Sequence, residues 1–170
     1  MNLFLDTEWA DPIGSELVSL ALVSEDGAYQ FYAERDPLPA FPTDFVRHAV
    51  YPLLQGGPAA MSDMAMTTAL RAFLSAIPGA WVLADYPNDL QLLQYVLAGF
   101  DLGGDQVQRC GPVPLVNMEL LVSSSPLRLA IEAWFQSNPE QCRRRHHSMV
   151  DAQALRAAWR AIREAKGQVD

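Results

Sequence analysis

The sequence predicts an α/β fold: a mixed sheet in which an antiparallel three-strand meander is continued by parallel strands, with helices on its faces. Three observations carry this reading. Apolar runs at residues 3–9, 17–24 and 29–34 are separated only by short turn signals. From residue 62 onward, helix-length segments alternate with short apolar runs, the order that lays helices over parallel strands. No repeat, linker or low-complexity tract interrupts the 170 residues, so a single domain (1–170) with a full core is expected.

The first strand, LFLDTEW at 3–9, starts with apolar side chains for both faces and ends with two acids. Pro12 and Gly14 punctuate the loop at 10–15. LVSLALVS at 17–24 reads as a buried strand, and Asp26-Gly27 supplies a two-residue hairpin turn. The return strand at 29–34 alternates aromatic and polar residues. Pro37, Pro39 and Pro42 break the next stretch; a short helix is expected over 44–54, capped by Thr43 or Asp44. A longer helix runs from Ser62 or Asp63 to Ile77, where Pro78-Gly79 stops it. WVLA at 81–84 is a buried strand between turn signals, and Pro87 opens a helix to Ala98. Residues 99–114 read as glycine-dotted loop and 113–118 as a last strand. Ser125-Pro126 opens a helix to about Gln136, and a final helix covers 152–166.

Bulk chemistry narrows the function. Twelve basic against 20 acidic residues give a net charge of -8, which argues against a general nucleic-acid binder unless metal neutralises some acids. Half the residues are hydrophobic, yet none of the apolar runs approaches the ~18 residues of a membrane span. The opening Met-Asn-Leu-Phe-Leu-Asp lacks a basic region, so no secretory signal is expected. Cys110 and Cys142 lie far apart in no metal-binding spacing; reduced thiols and a cytoplasmic location are expected.

Three acidic segments stand out. Asp6 and Glu8 are two apart in a strand, so they share a face, and each raises the cost of ionising the other. An oxygen-only pair of this kind suits Mg²⁺ or Mn²⁺; an edge strand with two solvated acids is the alternative. In DYPNDLQLL at 85–93, a strand passes directly into a helix. Asp85 then serves as turn residue or ligand, and Asp89 as helix-start acid or ligand. In RRRHHSMVD at 143–151, Ser148 and Asp151 have the spacing of a capping box, with Asp in place of Glu. Capping and metal binding compete for that one carboxylate.

Taken together, DTE at 6–8, DYPNDLQLL at 85–93 and HHSMVD at 146–151 resemble the DEDDh class of 3′–5′ exonucleases in the ribonuclease H-like superfamily. The family's first motif is Asp-x-Glu at the end of the first strand. Its second is an Asp opening a helix after a strand, with bulky apolar residues just beyond. Its third is His-x-x-x-x-Asp leading into the last helix. The resemblance covers nearly the whole chain, in order, and is nearest to short stand-alone bacterial members, many of which trim RNA. Departures from the pattern are Asp85 where Asn is common, Trp9 after the Glu, and Ser148-Met149 where Ala and Leu are commoner.

The resemblance implies a ribonuclease H-like sheet and two-metal hydrolysis of phosphodiesters, with release of nucleoside 5′-monophosphates from an RNA 3′ end. It places two Mg²⁺ or Mn²⁺ ions on Asp6, Glu8, Asp89 and Asp151, with His146 as general base. Asp85 and His147 are the neighbouring alternatives for ligand and base. Thr7 and Trp9 at the strand end are expected to meet substrate, Trp9 by stacking on the terminal base. Arg143, Arg144 and Arg145 are expected to track phosphates, with Arg109 and Arg128 further candidates. Tyr86 and His48 read as packing and surface residues. Family members are often homodimers. Competing expectations are a DNA-directed exonuclease, a metal-dependent hydrolase of small phosphate esters, and an inactive interaction domain.

Overall fold

The computed structural model describes residues 1–121 and 125–167. Its centre is a six-stranded sheet in the order β4-β3-β2-β1-β5-β6, formed by β1 (Asn2–Trp9), β2 (Leu17–Ser24), β3 (Gln30–Arg35), β4 (Ala60–Met61), β5 (Trp81–Ala84) and β6 (Asn117–Leu120). The first three strands are an antiparallel meander, while β5 runs parallel to β1, and β6 parallel to β5. This mixed sheet flanked by helices is consistent with a ribonuclease H-like arrangement.

Helices cover both faces, and strand parity decides which side chains meet them. Leu3 and Leu5 of β1 face α1 (Asp63–Ser75) and α2 (Pro87–Ala98), packing with Met66, Leu70, Leu93 and Val96. Phe4 points the other way, toward α4 (Ser125–Ser137) and α6 (Ser148–Gly167), among Leu127, Ala152 and Leu155. β2 is buried along its whole length, as its unbroken apolar run predicts. Its two serines have partners: Ser19 Oγ lies 3.1 Å from Ser148 Oγ, and Ser24 donates to Asp26. Each buried leucine of this core contributes roughly 1.5–3 kcal/mol.

Four boundaries differ from the sequence reading. The helix expected over 44–54 is a π-helical turn at Val46–Val50 followed by a 3₁₀ turn at Tyr51–Leu53. Pro52 cannot donate to residue 48, so a regular helix cannot pass through it. The stretch 99–114 is not all loop: it holds α3 (Gly104–Arg109). Two glycines hide that helix from a propensity argument, and buried Arg71 supports it by donating to the carbonyls of Val107 and Gly111. The last strand lies at Asn117–Leu120, beyond Pro112 and Pro114, which lack the N–H a ladder needs. The final helix begins at Ser148 rather than 152, after a short α5 (Pro139–Cys142). Among the described residues, no helix is long and apolar enough to cross a membrane.

Candidate active site

β1 and β5 pair only from Asn2 to Phe4, and then part. Past that point the β1 backbone on the β5 side needs other partners. Asp89, in the first turn of α2, fills the gap: its Oδ1 accepts from Thr7 N at 3.1 Å and from Thr7 Oγ1 at 2.6 Å. Thr7 is buried with its side chain on the α2 side of the sheet, opposite Asp6 and Glu8. It therefore clamps Asp89 in place, and it also lines the cavity.

Asp6 and Glu8 project from the other face, beneath the start of α6. Asp151 stands in the first turn of that helix, and its Oδ2 accepts from His146 N at 3.0 Å. The Ser148–Asp151 capping box is not formed: Ser148 lies inside α6 with its Oγ against Ser19 Oγ. Asp151 binds the backbone ahead of the helix instead, while its Oδ1 is buried with no hydrogen-bond partner among the described residues. Asp6 Oδ2 is in the same condition. Buried carboxylate oxygens without partners are costly. Two of them facing one crevice fit a cation that supplies the missing charge.

The crevice is a cavity of about 400 Å³ walled by Asp6, Glu8, Asp85, Asp89, His146 and Asp151. Ligand atoms of Glu8, His146 and Asp151 lie within 4.8 Å of one another. The acids strain against burial and one another. Burial, then repulsion from Asp151, Asp89, Glu8 and Asp85, pushes Asp6 well above the usual carboxylate range. Burial likewise pushes Glu8 up to about 9, and Asp89 and Asp151 to about 7 each. Asp85 is raised by burial. All of these shifts make the ionised cluster unfavourable unless positive charge is added.

The two histidines have different surroundings. His147 is 2 % exposed and belongs to the helix start: its carbonyl accepts from Val150 N and Asp151 N, and its Nδ1 from Met149 N at 3.2 Å. Its ring stacks on Tyr32 at 4.6 Å, and its Nε2 lies 3.1 Å from the Gln55 amide. His146 lines the cavity, with a left-handed backbone (φ 73°) unusual outside glycine. Its ring stands edge-on to Phe45 at 4.9 Å. Burial, then the Arg145 charge, lowers its pKa, which favours the neutral imidazole.

The cavity rim is aromatic. Trp9 stacks on Tyr86 at 5.5 Å, and Tyr86 is 54 % exposed rather than packed away as expected. Phe45, also 54 % exposed, forms the facing rim. Sequence reading missed Phe45 and Tyr86 as site residues; an aromatic beside a motif acid was the available signal for Tyr86, and none pointed to Phe45. It also missed Asn88, whose Nδ2 donates to the Ile13 and Gly14 carbonyls at 2.8 and 3.2 Å and ties the loop after β1 to α2. Gly14 suits that turn because its φ of 74° favours glycine, and a Cβ would fall 2.0 Å from the Asn88 amide nitrogen, displacing it from these carbonyls.

The expected phosphate-tracking arginines are dispersed. Arg143 pairs with Glu140 at 2.8 Å, Arg144 is exposed, and Arg145 is held by Glu132 at 2.5 Å and lies over the Phe135 ring. Arg109 ends α3, and His48 is exposed with Nδ1 2.8 Å from the Asp44 carbonyl oxygen. No family model matches the chain, and no curated protein is significantly similar to it.

Proposed function

We propose that this protein is a metal-dependent 3′–5′ exonuclease that trims RNA, releasing nucleoside 5′-monophosphates. One observation carries the reading: acids from three remote segments line a single cavity where β1 and β5 part, and two of their buried oxygens lack partners. Ligands of open α/β sheets bind at such crevices beyond the carboxyl ends of the strands. RNA as the substrate follows from the resemblance to stand-alone bacterial members.

Asp6, Glu8, Asp89 and Asp151 would hold two Mg²⁺ or Mn²⁺ ions, an all-oxygen set suited to hard cations. Bound there, such ions lower the pKa of water and offset charge on phosphate oxygens. Thr7 fixes Asp89, and the His146 N–H fixes Asp151, so both carboxylates are oriented before substrate arrives. Burial favours the neutral form of His146, which lines the cavity and offers a ring nitrogen for the proton of the attacking water. Water's oxygen joins phosphorus, the bond from phosphorus to the 3′ oxygen breaks, and that oxygen takes up a proton. Trp9 and Tyr86 offer a stacked aromatic edge for the terminal base.

A second reading, hydrolysis of small phosphate esters, draws on one feature: among the described residues, the cavity wall contains no lysine or arginine. One experiment separates the readings. The protein is incubated with Mn²⁺ and a 5′-labelled oligoribonucleotide, alongside a small phosphodiester. A ladder shortening from the 3′ end, abolished by Asp6→Asn, is the expected result. An intact oligomer beside a cleaved small ester favours the second reading. No turnover of either with Mn²⁺, Mg²⁺ or Co²⁺ sinks both and leaves an interaction domain.

A further inference from the structure

A second groove adjoins the acidic cavity, and Asp85 and Tyr86 line both. This groove, about 780 Å³, runs between the turn after β5 and helix α4, where Arg128, Leu129, Glu132 and Arg145 form its far wall. We infer that it is the track for the nucleotides upstream of the scissile bond, with Arg128 and Arg145 as their phosphate contacts. The inference rests on the exonuclease reading above and names the part of the substrate that reading leaves unplaced.

Charge and exposure support the track. Arg128 is exposed and has no side-chain ion pair among the described residues. Arg145 is already oriented, since two guanidinium nitrogens donate to Glu132 at 3.0 and 2.5 Å while the plane lies 4.8 Å from the Phe135 centroid. A phosphate offers the same pair of acceptor oxygens as that carboxylate, so it can take Glu132's place without moving the arginine. Leu129, 70 % exposed, and Tyr86 give the groove apolar surface for bases. The groove on the opposite flank has as many acids in its wall, Glu16 and Asp101, but only one cation, Arg35, which Asp63 binds at 2.8 and 2.9 Å. Arg128, with no ion pair among the described residues, is what sets the α4 groove apart.

A track of this kind makes length matter. A dinucleotide fills the acidic cavity alone, whereas a seven-nucleotide RNA also lies along α4. The test measures kcat/KM with Mn²⁺ for both lengths in the wild type, Arg128→Glu and Arg128→Ala. Arg160→Ala, a cation of α6 outside both cavities, controls for loss of charge. The expected result is a wild-type preference for the seven-mer that Arg128→Glu cuts about tenfold or more and Arg160→Ala leaves in place. In Arg128→Ala, the slope of log kcat/KM against log salt for the seven-mer falls by about one. A length preference unchanged in Arg128→Glu overturns the track while the nuclease reading stands. No turnover of either length by the wild type is the distinct result that removes the nuclease reading, and the track falls with it.

Discussion

At the scale of single residues, the site depends on hydrogen bonds that reach the acids from behind. Thr7 is the clearest, with both its N–H and its hydroxyl on one oxygen of Asp89. Thr7→Val keeps the volume and loses only the hydroxyl bond. We expect a stability loss of about 1 kcal/mol and Mn²⁺ affinity weaker by roughly 10–100-fold, measured by denaturant melts and metal titration. Unchanged affinity would show that Asp89 orients itself. His146 carries a different prediction, because its ring nitrogen lies within 4.8 Å of Glu8 and Asp151 oxygens. As a general base, His146→Ala loses about 10²–10⁴ in kcat and keeps metal affinity. If metal affinity falls in parallel with kcat, the residue is a ligand and the base lies elsewhere.

Among the elements, the start of α6 matters most, since it places both His146 and Asp151. Its cap is an unusual one: His147 accepts a backbone N–H on Nδ1 while its ring lies against Tyr32. Replacing it with alanine removes cap and stack together. A cap alone is worth about 1 kcal/mol, which corresponds to roughly 2–4 °C in Tm for a chain of this size. His147→Ala should therefore melt at least that much lower. His147→Asn, which restores an acceptor at the cap, should regain part of the difference. A thermal scan in which Asn melts no higher than Ala would assign the whole effect to the stack on Tyr32.

For the whole molecule, the acid cluster opposes folding once its buried carboxyls ionise. Free carboxyls ionise near pH 4, but Glu8 is raised to about 9, and Asp89 and Asp151 to about 7. Between these limits the folded protein holds more protons than the unfolded chain, so its stability falls as pH rises. The stabilising contribution of the protonated acids is complete below pH ~4 and is gone once pH passes the raised values. In EDTA, Tm should drop by several degrees between pH 5 and pH 8. If the cluster holds the proposed ions, Mn²⁺ should raise Tm more at pH 8 than at pH 5, because a cation prefers ionised acids. Asp6→Asn should raise the metal-free Tm at pH 8 and shrink the Mn²⁺ shift. A metal-free Tm equal at both pH values would mean that the acids do not share a poorly solvated site.

Sequence by itself determined the α/β class, the three-strand meander, the buried strands at 17–24 and 81–84, and the acids at 6, 8, 85, 89 and 151 that line the cavity. These were legible because they rest on local rules: alternation along a strand, turn residues at fixed spacing, and carboxylates set beside apolar runs. Tertiary structure alone decided that Asp151 takes the His146 N–H on one oxygen and leaves the other without a partner among the described residues, that His147 turns inward while His146 faces the cavity, and that Phe45 and Tyr86 form its rim. It also decided that Arg71 supports a helix where two glycines argue for loop, and that Arg145 is held by Glu132. Apart from the Asp151–His146 bond, these are contacts between segments that lie apart in sequence. Neither partner carries a local pattern that names the other, so only the packed chain shows them meeting.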